Sequence, residues 1–294
     1  MKELHVKSLL PVRLDKYLMD QYPALGMGRL NKALRENKIK LNGKRQPLST
    51  RVQNGDTIKL FLTDEQLENR PTPAAVFVYE DDDIIIASKP AGIAVDGPDT
   101  DTLIRRVQAK LASEGKATHA VLCHRLDTGT SGLVIFAKTP AALEQMAELI
   151  RTRAVRKEYL CVTLGAPVPP AAKLCAYLVK DAKRGMVRVT HARERGAKEI
   201  VTRYETLCTS GALALLRVQL VTGRTHQIRV HMSSIRHPLL GDDVYGPKKC
   251  PFPGLRGQTL HAMVLGFLHP VSSEYMEFTA PLPEYFSEIL DKLR

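Results

Sequence analysis

Asp127 is the residue with the clearest chemical setting in this chain. It opens a run of small residues, Thr128, Gly129, Thr130, Ser131 and Gly132, that make a tight turn. The turn runs straight into Leu133-Val134-Ile135-Phe136-Ala137, an apolar stretch of strand length. A carboxylate is thus set on a loop at the mouth of a buried strand, with Arg125 two residues before it. Loops held by a rigid scaffold are favoured places for catalytic groups. An aspartate there can also do no more than accept a turn bond from its own backbone.

Four further segments carry groups that could serve such a carboxylate. Lys89-Pro90-Ala91-Gly92 forces the chain to turn after the apolar Ile84-Ile85-Ile86-Ala87. Arg156-Lys157-Glu158-Tyr159 opens another apolar stretch, and Leu260-His261-Ala262 begins the last one. Thr222-Gly223-Arg224-Thr225-His226-Gln227-Ile228-Arg229-Val230-His231 passes from a strand pattern into a helical one. Arginine stays charged and can pair with a carboxylate in bidentate fashion, so it is a natural counter-charge. An arginine such as Arg224 can equally contact phosphate. Tyr159 has a flat ring and a hydroxyl, and reads as well as an ordinary half-buried strand tyrosine.

Other chemistries find little support. His226, His231, His237, His261 and His269 form no HExxH pattern, and His226 and His231 stand five apart, so no metal site is expected. His124 lies beside Asp127 without a serine elbow, and it is expected to fix the loop by hydrogen bonding. No GxxxxGK[ST] phosphate loop occurs.

These residues need a scaffold, and the pattern divides it in two. Residues 1–62 form a first module, 63–75 a polar, proline-bearing linker, and 76–294 a second domain. In the first, Leu14, Tyr17 and Leu18 share a helical face that ends before Pro23. A second helix begins at Gly28, with Leu30, Ala33 and Leu34 inward and Arg29, Lys32 and Arg35 outward. Ile39-Lys40-Leu41 alternates as a strand, Asn42-Gly43 is a hairpin turn, and Asn54-Gly55-Asp56 turns into Thr57–Leu62. The second domain shows strand-like runs at 76–79, 84–87, 133–137, 159–164, 175–179, 187–190, 200–207 and 214–221. Helical stretches lie near 103–111, 141–150 and 225–233, and a closing helix spans 284–293. Many short strands with few helices predict an α+β fold with a mixed, largely antiparallel sheet.

The chain has 294 residues, 44% hydrophobic, and a formal charge of +12. Residues 1–62 hold 13 Lys/Arg against 5 Asp/Glu, a net of +8, so a fifth of the chain carries most of the excess. A compact basic module is the electrostatic footprint of a nucleic-acid binder. Arg13, Arg29, Lys32, Arg35, Lys40 and Lys44 are its candidate RNA contacts. No apolar stretch approaches the ~20 residues of a membrane span. The N-terminus lacks a secretory core, so a cytoplasmic monomer with no membrane partner is expected. Five dispersed cysteines without a CxxC pair fit reduced, mostly buried thiols.

The string His124-Arg125-Leu126-Asp127-Thr128-Gly129-Thr130-Ser131-Gly132 resembles the signature of the RluA-type pseudouridine synthases, with Asp127 at the position of the catalytic aspartate. The four other segments match the same family in the same order. The first module, through Arg13, Leu14, Asp15, Gly28, Arg29, Leu30, Asn42, Gly43, Gly55 and Asp56, is similar to an S4 RNA-binding domain. The resemblance implies a catalytic sheet crossed by a cleft, no metal and no organic cofactor. It implies isomerisation of uridine to pseudouridine in structured RNA, with ribosomal RNA favoured and transfer RNA possible. By the same resemblance Arg224 is the partner of Asp127, Tyr159 stacks on the uracil and moves a proton at C5, and Arg125 fills the gap left by a flipped nucleotide. Leu133 and Ile228 are expected to line the pocket as core residues. Two alternatives compete: a non-catalytic RNA-binding or ribosome-assembly factor of this architecture, and an N-glycosidic hydrolase. The hydrolase calls for a second carboxylate, for which Asp242-Asp243 is the nearest candidate.

Overall fold

A computed structural model describes residues 2–8, 11–22, 25–62, 74–97, 101–115, 120–181, 186–247, 250, 252, 255 and 257–291. Pro23, nearly all of the linker and the last residues of the closing helix lie outside them. The chain divides into two compact units, Met1–Thr72 with Asp96–Thr100, and Pro73–Val95 with Asp101–Arg294.

In the first unit, β1 (Lys2–His5), β5 (Thr57–Leu60) and β3 (Ile39–Leu41) form an antiparallel sheet in that order. β2 (Val12–Arg13) pairs with β4 (Arg51–Val52). α1 (Leu14–Gln21) buries Leu14, Tyr17 and Leu18, and α2 (Met27–Arg35) buries Leu30 and Ala33, against Ile39, Val52, Ile58 and Leu60. Arg29, Lys32 and Arg35 are left exposed on α2, as their spacing predicts. The two turns lock together. Asn42 and Gly43 both have positive φ, as a type I′ hairpin turn requires, and Asn42 Nδ2 donates to Asp56 Oδ1 at 2.8 Å. The Thr57 N–H donates back to Asn42 Oδ1 at 2.8 Å.

The second unit is built on one sheet, and the α+β expectation holds. Its strands are β6 (Val76–Glu80), β7 (Ile84–Lys89), β8 (Val121–Leu122), β9 (Ser131–Ala137), β10 (Arg156–Leu164), β11 (Ala171–Asp181), β12 (Met186–Thr190), β13 (Lys198–Ser210), β14 (Leu213–Leu220), β15 (Leu260–Leu268) and β16 (Tyr275–Thr279). The order across it is β12-β11-β13-β14-β10-β15-β9-β7-β6, with β16 on β15 and β8 on β9. Every named pair is antiparallel except β9 with β15, where just Ser131 faces His261 and Gly132 faces Ala262. That parallel seam demands a glycine. Gly132 has φ +113°, and a Cβ there would lie 2.2 Å from the Ala262 carbonyl oxygen. β16, rich in exposed polar positions, is absent from the sequence reading because its apolar side chains are too few to read as a run.

Helices cover both faces. α3 (Leu103–Ser113) and α5 (Gln227–Ser234) add Leu103, Val107, Ile228 and Met232 to a core with Ala87, Val134, Phe136, Tyr159, Leu216 and Val218. α4 (Pro140–Arg151) adds Ala142 and Met146 to a second core with Ile84, Ile86, Leu133 and Ile135. α6 (Glu284–Asp291) packs Phe286 and Ile289 on Leu160, Val162 and Leu215. The alternation along β9 therefore sends Leu133 to the α4 side and away from Tyr159. Leu133 thus belongs to the α4 core, whereas Ile228 shares the Tyr159 core. The five cysteines are unpaired, but Cys175 and Cys208 are exposed and only Cys161 is fully buried. Among the described residues no helix is long and apolar enough to cross a membrane.

Candidate active site

Strand register builds the floor of the site. Lys89 on β7 faces Gly132 on β9, Gly132 faces Ala262 on β15, Ala262 faces Tyr159 on β10, and Tyr159 faces Val218 on β14. One row across five strands thus joins the end of the Asp127 loop to Tyr159. The loop rises between β8 and β9 and is fastened at each step. The Thr130 N–H donates to the Asp127 carbonyl at 3.0 Å, closing the turn. The Gly92 N–H donates to the Thr128 carbonyl at 2.8 Å. Gln258 Nε2 donates to Thr130 Oγ1 at 3.0 Å. His124 is a loop fixture, as its surroundings predicted: the Ile135 N–H donates to its Nε2 at 3.2 Å, and burial pushes the imidazole down to about 3.

Lys89 explains the Lys-Pro-Ala-Gly segment. Its buried amine donates to the carbonyls of Pro90, Ile93 and Thr128 at 3.0, 2.8 and 3.1 Å, using all three ammonium donors. Burial pushes this amine down to about 7 against the opposing charge of Asp127. The three carbonyls favour the cation and resist that push. Lys89 therefore braces the back of the Asp127 loop from beneath.

The counter-charge of Asp127 is Arg229, not Arg224. Arg229 lies on α5 with its side chain 6% exposed, and its Nη1 donates to Asp127 Oδ2 at 3.2 Å. Its other edge is fixed by Asp242, with Nε on Oδ2 at 2.7 Å and Nη2 on Oδ1 at 2.8 Å. Burial would push Asp242 up, but Arg229 and the Tyr245 and Val244 N–H groups hold it below the ordinary carboxylate range. Burial likewise opposes charge on Arg229, and the two carboxylates raise its pKa further above the ordinary value. Tyr245 lies against the guanidinium, ring centre to Cζ 5.3 Å, and its hydroxyl meets His226 Nδ1 at 3.0 Å. His226 Nε2 stands 3.9 Å from Asp127 Oδ1, and burial keeps this imidazole below its ordinary pKa.

The reason for the shift from Arg224 to Arg229 is local. Arg224 sits in the turn ahead of α5, where the chain is exposed, and its backbone N–H donates to Gln227 Oε1 at 3.1 Å. Buried Gln227 ties this turn to β13 through the Val201 carbonyl at 3.1 Å and Thr202 Oγ1 at 3.0 Å. His226 takes left-handed φ 53° to start α5, and one turn on, Arg229 points inward. The sequence offers both arginines within six residues. No spacing rule links positions 229 and 242, so nothing in the sequence separates Arg229 from Arg224.

Tyr159 is 7% exposed in the core that holds Leu126 and Ile228. Burial, then the charge of Asp127, push its phenol well above the ordinary value, so the hydroxyl keeps its proton. Arg125 is exposed two residues before Asp127. In the first unit, Arg13 is clamped by buried Asp15, with Nε at 3.1 Å and Nη2 at 2.6 Å, so part of its guanidinium serves the fold. Lys44 is exposed, and Lys40 is half-buried with its amine 5.5 Å from the centre of the Phe61 ring. Asp81, Asp83 and His269 lie close enough together to hold an ion. The Asp81 carboxylate, however, already accepts from Tyr79, Asp83 N and Ile84 N and meets His269 Nε2 at 2.9 Å.

The chain is similar to known proteins over most of its length. The family model for RNA pseudouridylate synthase matches residues 83–234. The ribosomal large subunit pseudouridine synthase D of Haemophilus influenzae is 32% identical, covering 96% of this chain and 91% of its own. The ribosomal large subunit pseudouridine synthase C of Vibrio cholerae is 31% identical over 96% of this chain and 93% of its own. Among solved structures, human RNA pseudouridylate synthase domain containing 4 superposes with TM-score 0.62 at 28% identity, over 74% of this chain and 92% of that one.

Proposed function

From the premise that the chain belongs to the RNA pseudouridylate synthase family and isomerises uridine to pseudouridine in RNA, we propose that it acts on ribosomal RNA, as a monomer in the cytoplasm, with Asp127 as the catalytic group. The relatives named for the large ribosomal subunit support that substrate. The reaction breaks the N1–C1′ bond of uridine, turns the uracil, joins C5 to C1′, and exchanges the proton at C5 for one at N1. A uridine stacked in folded RNA cannot reach Asp127, so it is flipped out, and Arg125 fills its place. The Asp127 carboxylate then adds to the sugar or removes the C2′ proton, and either role needs it ionised. Arg229 supplies the fixed cation for that form. The single observation that carries the reading is this Asp127–Arg229–Asp242 chain beside Tyr159.

Tyr159 gives the uracil a flat ring to stack on. Its raised pKa suits a hydrogen-bond donor and makes it a poor acceptor for the C5 proton. Asp242 is buried and spent on Arg229, so it offers no free acid or base to water. That observation weighs against the hydrolase. A non-catalytic RNA binder has no use for a part-exposed carboxylate paired with a buried arginine. Pseudouridine mapping of large-subunit ribosomal RNA, with and without the protein, tests the assignment. New pseudouridine at a defined site is expected; modification confined to transfer RNA, or free uracil, overturns it.

The first unit is the RNA grip in this reading, an S4-like domain whose Arg29, Lys32 and Arg35 share an exposed helix side. Each phosphate contact adds about 0.7–0.9 to the slope of log affinity against log salt. Deleting residues 1–62 should weaken ribosomal RNA binding and flatten that slope by several-fold of this increment. A slope equal to that of the full chain denies the unit this role.

A further inference from the structure

We infer that Lys157 and Gly223 form a seat for one phosphodiester group of the RNA beside the flipped nucleotide. This rests on the reading of Asp127 as the catalytic centre and names a substrate contact that reading lacks.

Lys157 lies on β10, two residues before Tyr159. It is half-buried, and burial lowers its pKa. Among the described residues no carboxylate or carbonyl accepts from its amine. Lys89, which is fully buried nearby, has three carbonyl acceptors. A cation withdrawn from water without a partner is unfavourable for the fold, so it calls for an anion from outside.

Its surroundings say where that anion would come from. The amine is near enough to His124, three residues before Asp127, for its charge to depress that imidazole. The amine also lies by Gly223, in the turn that leads to Arg229. A Cβ on Gly223 would lie 3.8 Å from Lys157 Nζ and touch nothing else within 4 Å. The φ of Gly223 lies outside the left-handed region, and no packing forbids a side chain there. Neither backbone nor core requires glycine at this position. What glycine leaves is open space directly over an unpaired ammonium, between the loop that bears Asp127 and the turn that leads to its cation. An uncharged base edge would not compensate the ammonium; a phosphate oxygen of a polyanionic substrate would, and lysine suits phosphate as a compact point charge.

The test is Lys157→Met in the full chain, with RNA binding and steady-state turnover measured across a salt series and thermal melting alongside. The variant should raise KM roughly tenfold at low salt, with the loss in KM rather than kcat. Its slope of log affinity against log salt should be shallower by about 0.7–0.9. Its melting temperature should equal or exceed that of the parent, because an unpaired, half-buried charge has been removed. Gly223→Val, which fills the space and keeps the charge, should also raise KM and flatten the slope. An unchanged slope in Lys157→Met, or a fall in melting temperature, overturns the inference and makes Lys157 a structural residue. Should the parent protein form no pseudouridine on any RNA, the functional reading itself fails, which is a separate outcome.

Discussion

Asp127→Asn should abolish pseudouridine formation, by at least about a thousandfold, while the protein still folds and binds its RNA. The size follows from where the charge acts. An amide can neither add to C1′ nor take the C2′ proton, so the transition state loses a group that the ground state hardly uses. The fold has little at stake. Arg229 keeps its two bonds to Asp242, and its Nη1 can still donate to the amide oxygen. The Asp127 side chain is 25% exposed, so losing its charge should change stability by no more than about 1 kcal/mol. Turnover near the parent rate would remove Asp127 from the mechanism. Lost activity with a collapsed melting transition would mean the residue holds the loop rather than the substrate.

Arg229→Gln should injure both chemistry and fold. Asp242 has a fully buried carboxylate, and removing its partner strands that charge. Breaking a buried pair in this way costs about 3–5 kcal/mol, which for a domain of this size lowers melting by about 10 °C. Activity should drop by about a hundredfold or more through the loss of the fixed cation. Adding Asp242→Asn to Arg229→Gln should separate the two effects. The double variant has no stranded charge and should regain most of the melting temperature, yet remain inactive. Recovery of activity in the double variant would show that Arg229 only supports the fold. Arg229→Lys keeps a cation for Asp242 and should lose less melting temperature than the glutamine variant, yet its activity should stay low, since one ammonium cannot span two carboxylates that occupy both edges of a guanidinium.

Much of this was legible in the sequence because it was local. The helical faces of Leu14, Tyr17 and Leu18 and of Leu30 and Ala33 follow from spacing alone, as does the Asn42-Gly43 turn. The eleven-residue β11 and thirteen-residue β13 were read too short because their alternating exposed positions hide the ends. The Asp127 loop was legible from its small residues, and the role of His124 followed from the lack of any nucleophile beside it. The partner of Asp127 was not. It depends on which of two arginines the left-handed step at His226 turns inward, and on Asp242 bending in from a separate turn. The facing of Leu133 was equally hidden. An apolar run buried on both faces has no polar residue to mark which side is which.

The parallel join of β9 and β15 has a further implication. Asp127 precedes β9, and Arg229 follows β14, so acid and cation stand on opposite banks of a splice only two residue pairs long. If the banks part, each keeps its own antiparallel ladders and nearly all of its strand signal, while the reacting groups drift out of reach. Inactivation by mild heat or denaturant should therefore run ahead of any loss seen by far-ultraviolet spectroscopy, and amide exchange at Gly132 and Ala262 would be its earliest witness.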